Sequence, residues 1–112
     1  MGIEGSKDLE IQNVPSERDD LLLELGHAWS PGIPHDGEGN VTDIPTSWDK
    51  ATDSWRKAWE VNVYGYRATH TDGNGKATKL ELRGGRLYDE HGRKASLDLI
   101  KDLTRVLREA SG

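Results

Sequence analysis

Between Lys76 and Arg83 the sequence alternates without a break, Thr78, Leu80 and Leu82 on one side and Lys79, Glu81 and Arg83 on the other. A glycine-rich turn signal closes each end of that run: Thr71-Asp72-Gly73-Asn74-Gly75 before it and Arg83-Gly84-Gly85-Arg86 after it. Period-two alternation bounded by such turns describes a half-buried strand between two hairpins. A chain holding this unit must build an antiparallel sheet, and the stretch from Trp59 to Ala95 is organised around it.

Upstream, a strand is expected from about Trp59 or Val61 to Thr69, with Val61 and Val63 on one face and Tyr64, Tyr66 and Ala68 on the other. The change of parity near Gly65 reads as a bulge. Downstream, Leu87 and Tyr88 make a short strand, Asp89-Glu90-His91-Gly92 a turn, and Arg93 to Ala95 a further very short strand. The sheet is therefore a meander of three to four strands over about residues 59–95.

Helices are expected on both sides. Ser16, with Asp19 three residues on, approximates a capping box, and Leu21, Leu22, Leu25 and Trp29 then share a face. A long Pro- and Gly-rich loop occupies 30–45. Thr46 or Ser47 is read as the cap of a second helix, because Trp48, Ala51, Thr52, Trp55 and Trp59 recur at helical spacing. Ser96 caps a closing helix with Leu99, Ile100, Leu103, Val106 and Leu107 inward and Asp98, Lys101, Asp102, Arg105, Arg108 and Glu109 outward. The expected fold is α+β: a small antiparallel meander packed by two N-terminal helices and one C-terminal helix, with 1–14 a flexible tail and 15–112 one domain. With no Phe, the four Trp must supply much of the core volume.

Residue types exclude several chemistries. Cysteine is absent, so there is no disulfide framework or thiol nucleophile, and a cytoplasmic home is the default. No apolar run is long enough to cross a bilayer. Serine-nucleophile, phosphate-cradling and dinucleotide-binding motifs are missing, and His27, His35, His70 and His91 lack the spacing of a helical zinc pair. Asp36, Glu38, Asn40 and Thr42 alternate like calcium ligands, but Val41 stands where the sharp turn needs Gly and Ser47 where a bidentate Glu belongs. No metal, cofactor or enzymatic activity is expected.

Charge is sorted along the chain. Residues 1–55 carry three Lys/Arg against twelve Asp/Glu, and residues 56–112 carry twelve against eight, within an overall net charge of −5. One consequence is that the halves neutralise each other on folding. Otherwise each half offers a patch of one sign to a partner. The first expectation is a protein-binding module, an adaptor, inhibitor or immunity-type protein. Its contact residues would be Asp19, Asp20, Glu24, Asp36, Glu38, Asp49 and Asp53, with Trp29 and Trp48 as anchors. The alternative is nucleic-acid binding by the sheet, through Arg67, Lys79, Arg83, Arg86, Arg93 and Lys94, with Tyr64 and Tyr66 stacking on bases.

A three-stranded meander followed by a helix, over about residues 59–110, resembles in strand order the double-stranded-RNA-binding domains and the sheet-plus-helix DNA-binding arms of phage-type integrases. In the former, the last helix opens with a lysine cluster. Here Arg93 and Lys94 precede the helix, and Asp98 and Asp102 follow on the face expected to be exposed.

Overall fold

The computed structural model describes residues 16–42, 44, 47–49 and 54–111, of which 47–49 and 54–57 are described by their backbone alone. The element order is α1 (Glu17–Ala28), β1 (Ser47–Asp49), β2 (Ser54–Asn62), β3 (Arg67–Asp72), β4 (Ala77–Arg83), β5 (Arg86–Asp89) and α2 (Leu97–Ala110). The five strands form one antiparallel sheet in sequence order; β3, β4 and β5 lie inside the stretch where the meander was expected, and β2 reaches into it. The class is α+β, but among the described residues there are two helices rather than three. The N-terminal tail and Asp53 lie outside the described residues.

The expected second helix is replaced by a β-hairpin. Trp48 pairs with Trp55 across the β1–β2 ladder, and Ser47 with Lys57, with a register irregularity between Ser47 and Trp48. The tryptophan spacing fitted a helix. Yet Trp55, Trp59, Val61 and Val63 also share one parity, and Trp, Val and Thr favour a pleated surface that can pair across strands. Pairing with β3 and with the β1 partner decided between the two periods.

A second correction concerns residues 59–69, read as one bulged strand. The chain reverses at 63–66, and β3 returns beside β2 with Val61 opposite Ala68 and Trp59 opposite His70. Asn62 pins the turn: its Oδ1 accepts from the Gly65 N–H at 2.9 Å, while its Nδ2 donates to Glu38 O and Asn40 Oδ1. The change of parity near Gly65 was the trace of this reversal. The later hairpins fall where the turn signals put them, and Gly84 and Gly85 take the positive φ values, 58° and 79°, of a two-residue connection.

Three of the turns are one design. Asp36, Asp72 and Asp89 each accept two backbone N–H groups on Oδ1, from the residues two and four positions on, and each is followed three residues later by a glycine at φ 78–90°. An aspartate that bonds its own following backbone closes the turn, and glycine supplies the left-handed residue that lets the ladder resume. The first of these turns makes a small hairpin, His35 opposite Val41, which docks on β2 through Val41 N–H to Val61 O and Val63 N–H to Gly39 O. The 30–45 loop is thus ordered over its described part, and Ile33 is fully buried.

Both helices lie on one face of the sheet. Leu22, Leu25 and Ala28 of α1 and Ile100, Leu103, Val106 and Leu107 of α2 join Trp59, Val61, Ala68, Leu80 and Leu87 in a single core. Side chains of Ser16 and Ser96 accept the Asp19 and Leu99 N–H groups, capping the helices as expected. Asp102 departs from its expected solvent face. Its side chain is 9% exposed and accepts the Trp59 indole N–H.

Candidate functional site: the open face of the sheet

Because successive strand residues point to opposite faces, burial of Trp59, Val61, Ala68, Leu80 and Leu87 under the helices leaves the other parity uncovered by any described element. The registers place Asn62, Arg67, Glu81, Tyr88 and Lys94 in one row across the sheet and Glu60, Thr69 and Lys79 in the next. Arg83 closes the far end, its guanidinium 4.7 Å from the Tyr88 ring centroid and its Nε 3.2 Å from Glu81 Oε1. Tyr88, which carries that guanidinium, is interleaved with the basic residues in the sequence but was not singled out for stacking. Its odd spacing from Leu87 was the available signal.

Arg67 and Lys79, neighbours on adjacent strands, have no ion-pair partner among the described residues. Two shallow hollows of about 340 and 420 Å³ flank them, and both residues line each. The Arg67 guanidinium lies against the backbone at Gly65, where a Cβ would come within 2.8 Å of it. Glycine at 65 therefore serves the approach of Arg67; the left-handed residue of this turn is Tyr66, at φ 52°.

The remaining expected nucleic-acid residues are more dispersed. Arg86, at the start of the edge strand, reaches Asp19 of α1 at 3.7 Å. Arg93 is exposed within the 89–93 turn and gives its N–H to Asp89. Tyr64 and Tyr66 belong to the β2–β3 turn rather than to a strand. Tyr64 is 62% exposed, edge-on to His35 at 5.2 Å, and Tyr66 is 48% exposed, with its ring 5.8 Å from that of Trp29.

Three of the seven expected acidic contacts, Asp19, Glu24 and Asp36, are occupied within the molecule. Glu17, Asp19 and Glu24 on α1 face Lys101, Arg86 and Arg108 at 3.2, 3.7 and 3.7 Å. Trp29 is 5% exposed, which corrects its reading as an anchor: it follows α1, bonds back to Leu25 O, and its ring is covered by Tyr66 and the core. Asp36 closes a turn, and the Asn40 and Glu38 N–H groups hold its carboxylate below its ordinary pKa. Asp20 and Glu38 are exposed; Trp48 and Asp49 lie on β1.

Among the described residues no group of three or more His, Asp or Glu is placed to hold a metal ion, and no helix is long and apolar enough to cross a membrane. No protein family, curated protein or solved structure matches this chain.

Proposed function

We propose that the chain is a binding module, without catalytic machinery of its own, that holds nucleic acid across the open face of its sheet. The observation that carries this reading is the pair Arg67 and Lys79. Two cations stand in adjacent rows of the uncovered face, without ion-pair partners among the described residues, and line two of its hollows together with Glu60 in one and Glu81, Asp89 and Glu90 in the other. Arg83 and Lys94 add further cations to that face with Tyr88 between them, although Arg83 is paired with Glu81. Phosphates spaced along a strand suit such a set, because each contact displaces a condensed counterion.

Docking of a basic protein on the acidic half has less support, since its main helix spends three carboxylates on cations of the same chain and its first tryptophan is buried. A net charge of −5 also shapes the proposal. The long-range field opposes a polyanion, so contact is local, modest in affinity and strongly reduced by salt.

Amide NMR with an oligonucleotide at low salt tests the assignment. The proposal requires shift changes concentrated on β3, β4 and the β2–β3 turn. Changes confined to α1, or none, would remove it.

A further inference from the structure

Resting on that reading, we infer that the ligand is a single strand rather than a duplex, with one base stacked on Tyr64 and the flanking phosphates on Arg67 and Lys79. Tyr64, 62% exposed, is the most exposed tyrosine or tryptophan whose side chain is described, yet contacts hold its ring in place. Its ring lies over Gly39, where a Cβ would fall 2.6 Å from the ring atoms, and His35 meets it edge-on. Asn62 locks the turn that carries it through three hydrogen bonds. An aromatic held in place before binding loses little freedom when a base stacks on it.

Tyr64 lines neither hollow, and its link to the cations runs through the Gly39 it covers. Asn40, next to the Gly39 that Tyr64 covers, lines the same hollow as Asn62, Arg67 and Lys79. A base on the ring would therefore have its backbone running over the cationic pair. In duplex nucleic acid the π-faces are occupied by neighbouring bases, and this ring would gain nothing. In a single strand every base offers a face, and stacking is tolerant of sequence.

Fluorescence anisotropy with labelled oligonucleotides of about twelve nucleotides separates the possibilities: single strand, duplex of the same sequence, and the single strand made abasic. The intact single strand should bind the wild type most tightly. Tyr64→Ala should weaken it about tenfold or more, with Tyr64→Phe close to wild type. On the abasic strand wild type and Tyr64→Ala should be equal. Equal affinity for duplex and single strand together with an inert Tyr64→Ala would overturn the stacking inference while leaving the sheet-face reading intact. Absence of binding to all three at low salt would overturn both. Unchanged thermal melting of Tyr64→Ala, to within a few degrees, keeps the comparison one of binding rather than folding.

Discussion

The indole Nε1 of Trp59 donates a 2.5 Å hydrogen bond to Oδ2 of Asp102, joining the central sheet to the closing helix across 43 positions of sequence. Arg105 holds the other carboxylate oxygen at 3.1 Å, and His70 packs on the indole with ring centroids 4.8 Å apart. A carboxylate this well covered depends on its donors. Trp59→Phe should therefore cost about 1–2 kcal/mol, and Asp102→Ala, which strips the acceptor from both indole and guanidinium, about 2–3 kcal/mol. Urea denaturation measures both. A neutral Trp59→Phe would mean that the bond contributes nothing beyond packing.

Acid should loosen the turns before the core. In Asp36, Asp72 and Asp89 the pKa lies below the ordinary 3.8, chiefly because backbone N–H groups bond the ionised carboxylate. A folded-state pKa below the unfolded one means that this stabilisation is complete above the unfolded value and disappears as pH falls through the folded one. Asparagine keeps an acceptor oxygen but not the charge. The triple variant Asp36→Asn, Asp72→Asn, Asp89→Asn should melt lower than wild type at neutral pH and lose less on acidification below about pH 4. Parallel melting curves for the two proteins across that range would contradict the assignment.

Tyr66 is the only described non-glycine residue at positive φ, and a left-handed tyrosine carries a strain of roughly 1–2 kcal/mol. Substitutions there should rank by backbone tolerance rather than by hydrophobicity. Tyr66→Asn, which accepts this conformation, should be more stable than Tyr66→Val, whose branched Cβ does not, by at least about 1 kcal/mol. Chemical denaturation of the two variants decides it, and valine equal to or above asparagine would mean that the left-handed turn is not formed in solution.

Gly65→Ala separates folding from binding. The φ of this residue is ordinary, and the atoms that a methyl group would meet belong to the flexible end of Arg67. The variant should fold with a stability change under about 1 kcal/mol, yet displace the guanidinium from its seat and weaken oligonucleotide binding several-fold. Binding equal to wild type would show that the seat of Arg67 is irrelevant to the ligand.

The hairpins at 71–75 and 83–86 and both helix caps were legible because each rests on local chemistry: glycine where φ is positive, serine where a helix N–H needs an acceptor. The β1–β2 hairpin was not, since Trp48, Trp55 and Trp59 satisfy two periods and only the long-range register chooses. The turn at 63–66 was hidden because its left-handed residue is a tyrosine, and Ile33 because one buried residue in a Pro- and Gly-rich stretch leaves no periodic trace. The Asp-x-x-Gly spacing at 36, 72 and 89 was present in the sequence, and the shared geometry becomes apparent only once the carboxylate contacts are seen. Residue types pointed to the cations of the candidate site, but not to the separation of Arg67 and Lys79 from Arg86, which depends on where α1 packs.

The most direct test is the salt dependence of single-strand binding by the wild type and by the Arg67→Ala, Lys79→Ala double variant. The wild type should bind at low salt with an affinity that falls linearly with salt on a double-logarithmic plot. The double variant should bind more weakly, with a slope shallower by about 1.4, the loss of two phosphate contacts. Wild-type binding that is absent at low salt, or a double variant with the same affinity and slope, would contradict the assignment of the open sheet face.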